Sequence, residues 1–154
     1  MTLKRTTGDE LDFRNLVIQL DQYLKIANGD KHFFYAQFNK IVKIKNVVIC
    51  YSDNSAVGCG SFKEFDRKTV EIKRMFVRPE FRRKGIANNI LKELELWAAE
   101  INYSECILET TENQHQAITL YIKLGYSIVP NYGQYKNVES SICLKKVINK
   151  MANA

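Results

Sequence analysis

Between Asp9 and Lys25 the apolar residues fall at Phe13, Leu16, Val17, Leu20 and Leu24, the spacing of one helical face, and Asp9 and Glu10 supply the acids that suit a helix start. Asn28-Gly29-Asp30 breaks this pattern, and the aromatic-rich stretch from His32 to Lys45 reads as a second, short helix. The period then drops to that of strands. Val47–Tyr51 is a β-branched run ended by the turn cluster Ser52–Ser55. Ala56–Phe65 resumes it, with Gly58 and Gly60 flanking Cys59, and Thr69–Val77 follows the turn Asp66-Arg67-Lys68. Three strands in close succession predict an antiparallel meander.

Downstream the helical period returns at Ile86, Ile90, Leu91, Leu94, Ala98 and Ile101. Cys106-Ile107-Leu108 reads as a short buried strand. Ala117, Leu120, Tyr121 and Leu124 mark another helix, which Gly125 ends as a left-handed cap. Tyr126–Val129 and Ser141–Leu144 complete the pattern as a final strand pair. A strand, a long helix and a strand between Glu71 and Leu108 predict one parallel pair, because the crossover helix has to pack on the sheet. The expected fold is α/β (α+β), a mixed and mostly antiparallel sheet with helices on both faces. With 154 residues, no repeat and no linker-like stretch, the chain is expected to form a single domain, 1–154.

Composition narrows the class. No apolar run reaches the length of a membrane span, and the first residues lack a charged-then-apolar leader pattern, so a cytoplasmic protein is expected. Cys50, Cys59, Cys106 and Cys143 each lie in apolar, strand-like segments. They form no Cys-x-x-Cys pair and stand far from His32 and His115, so reduced, buried thiols and no metal are expected. The net charge of +6 and the pI near 9.1 suit a polyanionic partner. Lys73, Arg74, Arg78, Arg82, Arg83 and Lys84 fall within twelve residues, with Glu80 the only acid among them. Only Phe76 and Phe81 interleave as aromatics, so one focused site for a phosphorylated ligand is favoured over a nucleic-acid track.

That cluster holds the chemistry. Val77-Arg78-Pro79-Glu80-Phe81-Arg82-Arg83-Lys84-Gly85-Ile86-Ala87 runs from a strand end through a basic turn into a helix start. Backbone N–H groups there lack intrahelical partners and sit at the positive end of the helix dipole, which suits an anion, and Gly85 lets backbone approach it closely. The pattern Arg-x-x-Gly-x-Ala resembles the coenzyme A pyrophosphate loop of the GNAT superfamily of N-acetyltransferases. Ala117-Ile118-Thr119-Leu120-Tyr121-Ile122-Lys123-Leu124-Gly125-Tyr126 resembles that family's Ala-x-x-Leu-Tyr-x-x-x-Gly-Phe/Tyr signature, and the order of elements matches as well.

The resemblance implies a GNAT fold in which a splayed parallel strand pair admits the pantetheine arm of acetyl-CoA, the co-substrate. The backbone around Met75, Phe76 and Val77 would meet the pantetheine amides. The N–H groups of Arg83, Lys84, Gly85, Ile86, Ala87 and Asn88 would meet the diphosphate, with the side chains of Arg78, Arg82, Arg83 and Lys84 in reach. Ala87 stands where many relatives have Gly, and it meets the same need for a small residue. Gln114 stands where many have a cofactor-binding Asn. Asn113 is its neighbour, and the resemblance does not choose between the two.

The implied reaction is direct acetyl transfer from acetyl-CoA to a primary amine of a small molecule or peptide, through a tetrahedral intermediate. The amine has to lose a proton, for which Glu71 on the central strand is the leading base, eleven positions before Arg82. The other reading of Glu71 is a strand carboxylate paired with a neighbouring cation. Glu109 is the second candidate, as base or substrate anchor, or as a contact to the next helix. Tyr121 is the implied general acid for the departing thiolate; its place on the Ala117, Leu120 and Leu124 stripe is equally that of a packing residue. A backbone N–H near Phe76 would hold the oxyanion. His32 and His115 read as surface residues. Tyr132, Tyr135 and the aromatics from His32 to Phe38 are candidates to line the acceptor pocket, or ordinary rim aromatics. The expected partners are acetyl-CoA and an amine, without nucleic acid or membrane, in a monomer or homodimer. The alternative is a non-catalytic module of the same fold that binds coenzyme A or a protein.

Overall fold

The computed structural model describes residues 1–28 and 43–148. Its elements run β1 Thr2–Thr6, α1 Leu11–Asn28, β2 Asn46–Ser52, β3 Ser55–Asp66, β4 Thr69–Val77, α2 Ile86–Glu100, β5 Glu105–Thr111, α3 His115–Lys123, β6 Ser127–Val129 and β7 Ser141–Val147. The seven strands hydrogen-bond in the order β1-β2-β3-β4-β5-β7-β6. The expected mixed, mostly antiparallel sheet is present, and its parallel pair is β4 with β5, in the register Thr69↔Glu105 to Glu71↔Ile107. The helix expected over His32–Lys45 lies outside the described residues, apart from Lys43–Lys45, which are not helical.

One strand escaped the pattern reading. β1 pairs antiparallel with β2, from Thr2↔Tyr51 to Thr6↔Val47. Its sequence, Thr-Leu-Lys-Arg-Thr, carries a single apolar residue, and the strand is largely exposed. Charged residues on an edge strand discourage pairing with another chain, and they also erase the apolar alternation by which a strand is recognised.

The chain packs as two compact units, Met1–Lys63 with Lys73–Leu94, and Glu64–Ile72 with Glu95–Ala154. In the first, α1 buries its apolar stripe: Phe13, Leu16, Val17 and Leu20 form a core with Val47, Ile49, Cys59 and Phe76. On β3, the glycines next to Cys59 make room for α2. A Cβ at Gly60 would strike the Met75 sulfur and come within 2.9 Å of both Ile90 and Leu94; one at Gly58 would stand 3.1 Å from Ile90 and 3.2 Å from Ile86. Close approach of helix to strand is what these two positions supply, and it fixes where the first turn of α2 stands relative to the end of β4.

In the second unit β5, β7 and β6 are antiparallel neighbours, with Glu109 opposite Cys143 and Thr111 opposite Ser141. Glu95 ties two elements together, accepting from the Tyr126 hydroxyl at 2.8 Å and from Lys146 Nζ at 2.9 Å. Gly125 ends α3 at φ 101, as its sequence position predicts. The Tyr126 N–H reaches back to the Tyr121 carbonyl at 3.0 Å and the Gly125 N–H to that of Ile122 at 3.1 Å. This pair of bonds closes the last turn of α3 on the residue that the signature singles out.

Candidate active site

Two sets of predicted residues are built in different ways. The first begins where β4 ends. The Arg78 N–H is anchored on the Val57 carbonyl at 2.9 Å, and Pro79–Phe81 make one 3-10 turn with proline at its start, where its fixed φ fits. Arg83 (φ 64) and Gly85 (φ 78) then adopt left-handed conformations on either side of Lys84. The Gly85 carbonyl accepts the Asn89 N–H at 3.0 Å, the first bond of α2. Gly85 is therefore the N-cap, and it has no side chain to turn onto the N–H groups of Ile86, Ala87 and Asn88, which have no acceptor within their own helix. A Cβ built on Gly85 would meet no atom within 4 Å. A helix start whose N-cap is a glycine, with open space where a Cβ would stand, fits a diphosphate.

The cations around this turn are not one patch. Arg74 takes φ 61 within β4, and its side chain, 1% exposed, pairs with Asp21 at 3.3 Å. It serves the interior of its unit and adds nothing to a surface site. Arg78 pairs with Glu80 at 3.1 Å. Arg82 turns back: its Nε donates to the Val77 carbonyl at 2.8 Å, and its guanidinium lies 4.7 Å over the Tyr23 ring and 5.7 Å from that of Phe76. Arg83 and Lys84 are exposed. Lys84 Nζ stands 5.3 Å over the Phe81 ring.

The second set lies within the other unit. Glu71 is only 4% exposed, and its Oε2 accepts the Tyr132 hydroxyl at 2.8 Å. The Tyr132 ring is held edge-on by Phe65, with centroids 5.3 Å apart, and by Tyr135 at 5.7 Å. By strand alternation and register, Glu71 and Glu109 point to one face of the sheet, together with Ser141 and Cys143. Glu109 accepts the Ser141 hydroxyl at 2.7 Å. Burial and then the two carboxylates, Glu109 before Glu71, push the Tyr135 phenol up; burial, Glu71's charge and its hydrogen bond push Tyr132 up. Burial also raises the Cys143 thiol to about 11 and those of Cys59 and Cys106 to about 12, and all four cysteines are free and buried.

Tyr121 is buried on α3, with its ring 5.9 Å from that of Tyr126, and burial pushes its phenol up to about 12. Its described ring contact is thus with Tyr126 and not with the carboxylate face. Ahead of α3, the Thr111 hydroxyl is hydrogen-bonded to the Asn113 side chain. Gln114 occupies the N-cap, donating its N–H to the Thr111 carbonyl at 2.9 Å and accepting Ile118 at 3.0 Å, while its side chain makes no capping bond. His115 is exposed, and His32 lies outside the described residues. Among the described residues no group of three or more His, Cys, Asp or Glu is arranged to hold a metal ion, and no helix is long and apolar enough to cross a membrane. The pairing of Tyr132 with Glu71 is the feature of the candidate site that sequence reasoning missed. Both residues were candidates separately, but they stand 61 positions apart and no local pattern joins them.

A family profile described as "Acetyltransferase (GNAT) family" matches residues 16–126. The chain is 28% identical over 149 residues to the IAA acetyltransferase of Azospirillum brasilense, covering 92% of this chain and 96% of that protein. Among solved structures it is similar to a Klebsiella pneumoniae protein assigned as an acyl-CoA N-acyltransferase, with TM-score 0.80, 24% identity and 96% and 97% of the two chains covered. It is also similar to a GNAT family acetyltransferase from Elizabethkingia anophelis solved with acetyl-CoA bound, with TM-score 0.67, 20% identity and 95% and 97% covered. The two structural likenesses establish the fold.

Proposed function

From the premise that this chain belongs to the GNAT family of acetyltransferases, and so is an acetyl-CoA-dependent acyltransferase, we propose that it moves the acetyl group to a primary amine of a small molecule or peptide, with Glu71 as base and Tyr121 as acid. The chain 1–154 acts in this reading as one catalytic domain. The observation that carries it is a buried carboxylate on β4, the strand followed in the chain by a helix start whose N-cap is Gly85.

Acetyl-CoA supplies the activated acyl group as a thioester. The N–H groups from Arg83 to Asn88 hold its diphosphate, with Arg83 and Lys84 adding exposed charge and Arg82 keeping the turn in shape. The backbone of Met75, Phe76 and Val77 takes the amides of the pantetheine arm by strand-like hydrogen bonds. Of the two residues ahead of α3, Gln114 is the better cofactor contact, because Asn113 is already bonded to Thr111.

An alkylammonium with pKa near ~10 has to give up a proton before it can attack. Glu71 takes that proton, directly or through one water, and becomes a neutral carboxylic acid. A backbone N–H near Phe76 hydrogen-bonds the acyl oxygen as it gains charge. The Tyr121 phenol, kept protonated by burial, gives its proton to the sulfur as the C–S bond breaks; the attacking nitrogen sheds its second proton to water, and solvent returns one to Tyr121.

Thiol release from acetyl-CoA, measured across a panel of primary amines, tests the proposal. Amine-dependent release is expected, falling by about two to three orders of magnitude in Glu71→Gln. Equal rates in Glu71→Gln and the parent would remove Glu71 from the mechanism, and release that no amine stimulates would overturn the acceptor class.

A further inference from the structure

We propose that Tyr132 is a positioning residue for acetyl transfer: its hydroxyl holds Oε2 of Glu71 and leaves Oε1 turned toward the acceptor amine. The inference rests on the reading of Glu71 as the base. It starts from a geometric fact, that a carboxylate 4% exposed is gripped by one phenol at 2.8 Å. A carboxylate on a strand can rotate about its last bond, and a rotating base spends most of its time misaligned. A donor fixed on one oxygen removes that freedom and selects which lone pairs face the substrate.

Tyr132 is equipped for this because it is itself held. Its ring sits in edge contact with Phe65 on β3 and with Tyr135, which is 2% exposed. The backbone that carries it is fixed too, since the Asn131 side chain donates to the Val138 carbonyl at 2.9 Å and the Tyr135 N–H to the Tyr132 carbonyl at 2.9 Å. Gly133, at φ 51, lets the chain turn directly after Tyr132.

Two other carboxylates on this sheet face have donors of their own. Glu109 receives Ser141 at 2.7 Å, and Glu105 receives Thr69 at 3.1 Å and Lys145 at 3.3 Å. On Glu71, the donor seen among the described residues is the Tyr132 hydroxyl. A packing role alone would need only the ring; the hydroxyl's direction toward the carboxylate is what the positioning role explains.

The test is a double-mutant cycle on thiol release from acetyl-CoA with n-butylamine as the acceptor probe. Tyr132→Phe keeps the ring contacts and removes only the hydroxyl. It should lower kcat about tenfold while both KM values stay within about twofold. In a Glu71→Gln background the same change should have no further effect, because a residue that acts through another is silent once that other is gone. Equal losses in both backgrounds, or no loss in the parent, would overturn the role. If Tyr132→Phe folds poorly, Phe65→Leu, which removes one ring edge that holds Tyr132, should give a smaller drop in kcat with the same silence in Glu71→Gln. Should Glu71→Gln itself match the parent, the base reading falls; a slow Glu71→Gln with Tyr132→Phe unchanged in kcat sinks the positioning role alone.

Discussion

The turn before α2 and the carboxylate face around Glu71 both carry candidate chemistry, and they are made of different material. At the turn the useful groups are backbone N–H donors of a helix start whose N-cap, Gly85, has no side chain, set by two left-handed and exposed residues, Arg83 and Gly85. Around Glu71 the useful groups are side chains, buried and bonded to one another: Tyr132 to Glu71, Ser141 to Glu109, and Phe65 and Tyr135 against the Tyr132 ring. A backbone site tolerates most side-chain changes as long as the conformation survives. A side-chain site fails atom by atom. The donor end should therefore have few sensitive positions with large effects, and the base end several positions whose effects depend on one another.

Gly85→Glu is the hardest blow to the first half of that contrast. A non-glycine residue at φ 78 costs about 1–2 kcal/mol, and a carboxylate in front of an anion site adds like-charge repulsion. Acetyl-CoA affinity should fall by about two orders of magnitude, equivalent to about 2.7 kcal/mol, as read by isothermal titration. The rise in melting temperature that acetyl-CoA gives the parent should vanish at matched concentration. A variant that binds within a few-fold of the parent would mean that the diphosphate is held elsewhere.

The same contrast explains what could be read from the sequence. The turn was legible because all its parts lie in about twenty residues: a β-branched strand, a proline, a glycine and a helical stripe, each with a local rule. The strands β2 to β4 and helices α1 to α3 were legible for the same reason, with boundaries shifted by a few residues. β1 was not, because its register is set by β2 and not by any apolar pattern of its own. Arg74 was counted with the surface cations, since sequence spacing does not reveal that a left-handed residue within β4 turns its side chain to Asp21. The Glu71–Tyr132 bond joins β4 to the segment between β6 and β7, 61 positions further on, and no local pattern links the two.

Tyr121→Phe probes the second half at a smaller amplitude. The pantetheine thiolate, with a reference pKa of about 8.5, is a fair leaving group, so losing the phenol should slow kcat by about tenfold without abolishing it. The pH dependence carries the sharper information. Burial disfavours the phenolate and raises the Tyr121 phenol to about 12, so its protonated form persists as pH rises through 10. The ratio of parent to variant kcat should then be constant from pH 7 to about pH 10. A ratio that collapses toward one near pH 10 would mean that the phenol ionises at its ordinary position, and that its burial does not survive acetyl-CoA binding.

Arg83→Ala is the mildest change and the most direct check that backbone, rather than side chain, holds the diphosphate. Arg83 is exposed, and an exposed cation acts through water and salt, so its attraction to a phosphate is screened within about 8–10 Å at physiological ionic strength. Its backbone is a separate matter. At φ 64 an alanine costs about as much as the arginine it replaces, so the turn should keep its shape. The KM for acetyl-CoA should rise about threefold at low salt, and the difference from the parent should shrink as salt is added, with kcat unchanged. An effect as large as that of Gly85→Glu would turn the comparison around, because the donor end would then be a side-chain site like the base end and Gly85 would matter only for aiming Arg83.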